Sequence, residues 1–257
     1  MNNNQATLEK LERMGMWGMM RAFRATLEAG AKADFTPDEL LSALVDAEWD
    51  ERQNRRLRRL LKMARFRYRA GMEDIDFALK RNLEKNLLMR LFDCRWVEGH
   101  QDVILTGPCG SGKSFIASAL GQQACIHGYT VAYWPAGKLF EQLKLCKADG
   151  SYLRELARLA KRRVLIIDDF GLEVLDTASR LFLLELLELL EDRHGRASSI
   201  IASQLPVSQW HQVIGEPTIA DAICDRIVHT AHRIELKGES VRKLYAHRSG
   251  ERKKAEE

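Results

Sequence analysis

The chain has 257 residues, of which 46% are hydrophobic and 30% charged, with a formal charge of +4. That is material for one large domain or two modest ones, and no apolar run approaches the roughly 18 residues that a bilayer-crossing helix needs. Five scattered cysteines (94, 109, 125, 146 and 224) form no C-x-x-C pair, and the opening Met1-Asn2-Asn3-Asn4 does not resemble a signal peptide. The expectation is therefore a cytoplasmic protein without membrane contact, disulfide framework or zinc site.

The first 30 residues carry apolar positions at helical spacing (Leu8, Leu11, Met19, Met20, Phe23, Leu27), punctuated by Gly15, Gly18 and Gly30. Two short helices are expected there. Thr36-Pro37-Asp38-Glu39 is a sharp helix start, with threonine as N-cap, proline in the first turn and Glu39 completing a capping box. The helix that follows should run about 25–30 residues, with Leu40, Leu41, Leu44, Val45, Trp49, Leu57, Leu60, Leu61 and Ala64 on one side. Its second half is basic: Arg52, Arg55, Arg56, Arg58, Arg59, Lys62, Arg65, Arg67 and Arg69 against Glu51 alone. Pairs at i,i+4 within the segment cannot balance that charge, which points to a polyanion such as nucleic acid; an acidic protein partner and a plain solvated face remain alternatives.

Residues 70–72 break the pattern and 73–78 read as a linker, so a helical domain over 1–70 is expected, followed by a linker and helix over 71–100. Leu79, Leu83, Leu87, Leu88, Leu91 and Phe92 predict that helix. From 101 to 246 short apolar runs alternate with helical stretches, as in an α/β domain with a parallel sheet. Strands are predicted at 103–105, 129–134, 164–167, 198–204 and 233–236. Helices are predicted from 115, over 136–160 with a break at Asp149-Gly150-Ser151, over 177–193, and over 217–228. The 247–257 tail is polar and is expected to be disordered.

Residues 107–114, G-P-C-G-S-G-K-S, sit between the first strand and its helix, as a P-loop must. Glycines 107, 110 and 112 allow backbone N–H groups to close around phosphate oxygens, and the helix N-terminus points its dipole at the same anion. Gly107, Pro108, Cys109, Gly110, Ser111, Gly112, Lys113, Ser114 and Phe115 are thus the expected nucleotide contacts. Lys113 reaches the β/γ-phosphates, and Ser114 holds Mg²⁺. The strand at 164–167 delivers Asp168 and Asp169 at its C-terminal end, where ligands bind in open α/β sheets. Asp168 suits a Mg²⁺ role and Asp169 the orientation of the water that attacks the γ-phosphate of ATP. Ser203 and Gln204 end a strand expected between those two and can touch the γ-phosphate or that water. Arg226 can reach a neighbouring subunit's ATP as an arginine finger; the competing reading is a local ion pair with Asp221 or Asp225.

With I-I-D-D-F-G, L-L-E-L-L-E-D-R-H, A-S-Q-L-P-V-S-Q-W and D-R-I-V-H-T-A-H-R-I-E-L-K-G-E-S-V-R added to the P-loop, the sequence resembles the IstB-like transposition helper ATPases of the AAA+ superfamily. These are close to the DnaC helicase loaders. The resemblance implies an AAA+ core of three layers with strand order 5-1-4-3-2 behind a small all-α domain. It also implies ATP-dependent homo-oligomerisation on double-stranded DNA and a partner transposase encoded by the same insertion sequence. By position, Gln204 matches sensor 1, Arg226 the arginine finger, and 136–160 an initiator-type insertion that faces DNA. Lys138 and Lys144 on that insertion then join Arg55, Arg56, Arg59 and Lys62 as DNA contacts, and Arg242 is a candidate sensor 2. A DnaC-like helicase loader is the alternative. A P-loop small-molecule kinase would leave the basic helix and Arg226 without purpose.

Overall fold

The computed structural model describes residues 3–30, 35–171, 177–214, 216–228, 231–238 and 240–241. Arg242 and the 247–257 tail lie outside the described residues. The chain divides into two compact units, Met1–Arg59 and Leu60–Glu257.

The first unit contains α1 (Asn3–Arg13), α2 (Trp17–Ala29) and most of α3 (Pro37–Ala64). Gly15 (φ 70°) and Gly30 (φ 57°) supply the left-handed conformations that end the first two helices. Gly18 is not a break. It lies inside α2, where any side chain would run into the Ala47 carbonyl of α3, so glycine here permits close helix packing. Buried Glu48 accepts the backbone N–H of Gly18 at 2.8 Å and of Met19 at 3.3 Å, capping α2 from across the pair. The capping box forms: Thr36 N donates to Glu39 Oε2 at 2.8 Å and Glu39 N to Thr36 Oγ1 at 3.3 Å. The expected apolar side of α3 is only partly buried, since Leu41, Val45 and Trp49 are exposed.

The division between units falls inside α3, some way before the boundary expected after residue 70. Leu60, Ala64, Ala70 and Ile75 are all buried. The helix expected from Leu79 is shorter: α4 spans Lys85–Phe92 and a single turn, α5, spans Arg95–Glu98. Residues 79–82 are instead spent on other partners. Lys237 N donates to the Arg81 carbonyl at 2.9 Å, Asn82 Nδ2 donates to the Glu235 carbonyl at 3.0 Å, and Asn82 is left-handed (φ 57°).

The second unit is built on five parallel strands: β1 (Val103–Thr106), β2 (Val131–Pro135), β3 (Val164–Phe170), β4 (Ser198–Ser203) and β5 (His232–Glu235). Their order is β2-β3-β4-β1-β5, the 5-1-4-3-2 order implied by the resemblance. Strand parity sorts the core into layers. Ile166 faces α6 (Lys113–Ile126), where Gly121 leaves room for it and for the Phe66 ring. Leu165 and Ile167 point the other way, into a cluster with Leu139 and Leu143 of α7 (Ala136–Ala148), Leu159 of α8 (Tyr152–Ala160), Leu186 and Leu189 of α9 (Thr177–Arg193), and Ile223 and Ile227 of α11 (Pro217–Val228). The three central strands, β3, β4 and β1, are buried along almost their whole length, which is why β1 and the first half of β3 read as continuous apolar runs.

Two elements escaped the sequence. A 3₁₀ turn (Val207–Gln209) leads into α10 (Trp210–Ile214), held by Trp210 packing edge-on to Phe170 with ring centroids 5.0 Å apart. Strand β3 also runs on through Asp168 and Asp169, with its register against β4 shifting between Ile167 and Phe170.

Candidate functional site

The P-loop folds as its glycines demand. Gly107 (φ 145°) lies against the Leu236 carbonyl just beyond β5, and Gly110 (φ 80°) against the Ser240 side chain. Gly112 (φ 98°) is the N-cap of α6, and a Cβ there would sit 2.7 Å from Arg81 Nη1. A Cβ at any of the three would collide with those neighbours, so the loop's positive-φ path and its close packing both call for glycine. Lys113 is buried along most of its length, and its ammonium donates to the Gly107 and Pro108 carbonyls at 2.8 and 2.9 Å. Burial lowers its pKa below the ordinary lysine value, against the pull of Cys109, Asp168 and Asp169. The ammonium is thus a poorly solvated donor held against the loop backbone.

Facing it, Asp168 is fully buried at the sheet edge of the loop. Ser114 Oγ donates to its Oδ1 at 3.0 Å, and the Tyr133 hydroxyl donates to its Oδ2. Burial, with Asp168 alongside, pushes the Tyr133 phenol well above its usual range, so it stays a donor. The two oxygens of Ser114 and Asp168 converge as hard donors suited to Mg²⁺, and the glycine cradle fits a phosphate chain. Asp169, in the left-handed region at φ 58°, lines the same cavity as Lys113, Ser114 and Gln204.

That cavity, about 460 Å³, is walled by Cys109, Gly110, Gly112 and Phe115 from the loop side and by Arg67, Tyr68, Asp74, Asp76, Leu79 and Arg81 from the segment before the core. The 73–78 stretch, expected as a linker, instead supplies Asp74 and Asp76 to this wall. Arg81 is buried and donates to the Ser111 carbonyl at 3.4 Å and the Asp76 carbonyl at 3.2 Å, tying the segment to the P-loop. No sequence signal marks it, since Lys80-Arg81-Asn82 and Glu84-Lys85-Asn86 are both polar triplets between apolar positions.

Other expected residues separate. Ser203 is spent inside the fold: its hydroxyl donates to the Phe170 carbonyl at 2.8 Å and accepts the Leu205 N–H at 3.1 Å, leaving Gln204 alone at the cavity. Arg226 lies away from the P-loop, paired with Glu191 and donating to the Ala222 carbonyl at 3.1 Å. The local pair exists, but with Glu191 rather than Asp221, which binds His211 at 2.9 Å. The basic segment is less bare than its composition implied. Arg52 pairs with Glu48, while Glu51 collects Arg21, Arg58 and, at 3.8 Å, Arg55. Arg56, Arg59, Lys62, Lys138 and Lys144 are exposed.

Residues 8–249 match the family of IstB-like ATP binding proteins. The chain belongs to this family. An insertion sequence ATP-binding protein of Sinorhizobium fredii is 45% identical to this IstB-like chain over 237 residues, covering 92% of it and 96% of the relative. The insertion sequence IS21 ATP-binding protein of Pseudomonas aeruginosa is 32% identical over 234 residues, covering 90% and 86%. Among solved structures, DnaI superposes with a TM-score of 0.52 at 21% identity, over 70% of this chain and 94% of that one. AMPPCP-bound DnaA from Aquifex aeolicus superposes at 0.54 and 15%, over 73% and 56%. Those two establish the AAA+ fold of the IstB-like core. Among the described residues no helix is long and apolar enough to cross a membrane.

Proposed function

We propose that this chain is an ATP-hydrolysing helper of transposition, which assembles on duplex DNA with ATP, recruits its transposase and comes apart when ATP is hydrolysed. The observation that carries this reading is one cavity lined by Lys113, Ser114, Asp169 and Gln204, with buried Asp168 hydrogen-bonded to Ser114 behind its wall. The insertion-sequence names of its relatives support transposition over helicase loading, for which the DnaI likeness offers the fold alone. Lys113 binds the β/γ-phosphates and Gln204 senses the terminal one. Mg²⁺ held by Ser114 and Asp168 would supply positive charge to the phosphates. Asp169 orients the attacking water and takes up its proton.

Assembly brings Arg226 of one subunit to the nucleotide of the next, exchanging Glu191 for a phosphate; surface pairs of that kind are weak enough to give way. Arg55, Arg56, Arg59, Lys62, Lys138 and Lys144 contact the DNA backbone, and the work is done in the cytoplasm. Imaging the protein on duplex DNA with and without ATP tests the reading. Nucleotide-dependent oligomers are expected from the native chain and none from Lys113→Ala; normal assembly by that variant would refute it.

A further inference from the structure

Of the nine basic residues between 51 and 69, Arg67 has a destination that the charge pattern does not show. It follows α3 by three residues, after Arg65 has turned the chain through a left-handed conformation (φ 58°). Aromatic anchors fix the backbone on both sides. Phe66 meets the Tyr133 ring edge-on at 6.4 Å, and Tyr68 packs against Phe115 at 6.0 Å. Gln122 Nε2 donates to the Tyr68 carbonyl at 2.9 Å, and the Arg67 guanidinium lies 5.7 Å from the Tyr68 ring centre. So held, Arg67 turns into the cavity. Its Nη1 donates to Asp169 Oδ2 at 3.0 Å and lies 3.5 Å from Asp168 Oδ2.

The arrangement answers two problems at once. Adjacent carboxylates at a strand end repel, and a shared cation offsets that repulsion. Asp169 also stands in the left-handed backbone region, uncommon outside glycine though less so for aspartate than for most residues. A guanidinium fixes the direction of a carboxylate, whereas an ammonium supplies charge with little direction. Arg67 keeps 42% of its side chain exposed, and Arg65 and Arg69 on either side are exposed as well, so what distinguishes Arg67 is its contact with the two carboxylates.

We propose that Arg67 is a positioning residue of the ATP site, holding Asp169 in the orientation that water activation requires and thereby linking the end of α3 to hydrolysis. This rests on the role given above to Asp169. The test compares the full-length chain with Arg67→Met, Arg67→Lys and Asp169→Asn. It measures ATP turnover across ATP concentrations, the Kd of a fluorescent non-hydrolysable ATP analogue, and the melting temperature. For Arg67→Met, turnover at saturation should fall at least tenfold while the analogue Kd stays within threefold. Arg67→Lys should recover part of the rate.

Turnover within twofold of native, or a Kd that rises as far as turnover falls, overturns the proposal. So does a lysine variant no better than methionine with the same loss of melting temperature, since that marks a packing role. Asp169→Asn separates the two levels. If it turns over at the native rate, the role of Asp169 falls; if it is inactive while Arg67→Met is not, only the Arg67 inference falls.

Discussion

Arg193 offers the sharpest test of how the sheet that carries the site is held together. It is buried at the end of α9, and its guanidinium donates to the carbonyls of Leu159 (3.1 Å), Ala160 (3.4 Å), Arg162 (2.7 Å) and Ser198 and to Ser199 Oγ (3.4 Å). One side chain thus caps the C-terminus of α8 and ties it to the start of β4. Burial pulls its pKa down to about 10, with Asp102 resisting the shift; the charge survives at neutral pH. Arg193→Met removes the donor to four backbone carbonyls in a place water reaches poorly. Each stranded acceptor costs about 1–3 kcal/mol, though relaxation makes the sum less than additive. Breaking a buried hydrogen-bond network of this kind costs about 3–5 kcal/mol in all. For a unit of this size that is a fall in melting temperature of about 6–20 °C. Arg193→Lys should lose most of the same amount, because one ammonium cannot span acceptors on α8 and β4 together. Urea unfolding followed by far-ultraviolet circular dichroism measures it. A loss under about 1 kcal/mol for the methionine variant would refute the reasoning, since surface changes alone reach half of that.

Asp102, whose Oδ1 accepts the Ser199 N–H at 2.6 Å, is pushed up by burial from 3.8 to about 6. The folded chain then binds this proton more tightly than the unfolded one, so the group's contribution is greatest at acid pH and falls between about pH 4 and 6, by up to about 3 kcal/mol. Native protein should lose stability relative to Asp102→Asn across that window; parallel pH profiles would refute it. Gly107→Ala puts a Cβ against the Leu236 carbonyl at φ 145° and should cost about 2 kcal/mol or more together with nucleotide binding. Gly137→Ala in α7 meets nothing within 4 Å and should gain up to about 1 kcal/mol. Fluorescent-nucleotide titration and urea unfolding of both glycine variants give the contrast, and equal behaviour would show that cradle geometry does not matter.

The sequence by itself determined what neighbouring residues decide together. The capping box at Thr36, the break at residues 149–151, the glycine loop at 107–112 and the exact span of α9 each follow from caps, periodicity or a required positive φ within a few positions. Strand β1 and the first half of β3 announced themselves as apolar runs because both of their faces are covered. The strand order came through family resemblance, which the sheet then bore out.

Tertiary structure alone decided which polar groups meet. Arg67 and Asp168 are 101 positions apart, so neither charge pattern nor periodicity could take Arg67 out of the basic face and put it on the site carboxylates. The same holds for Ser203, whose hydroxyl closes a turn, for Arg81, which bends a predicted helix into a cavity wall, and for Arg193. Periodicity records whether a side chain faces inward; the partner it finds there depends on how distant segments pack, and one sequence read alone carries no measure of that.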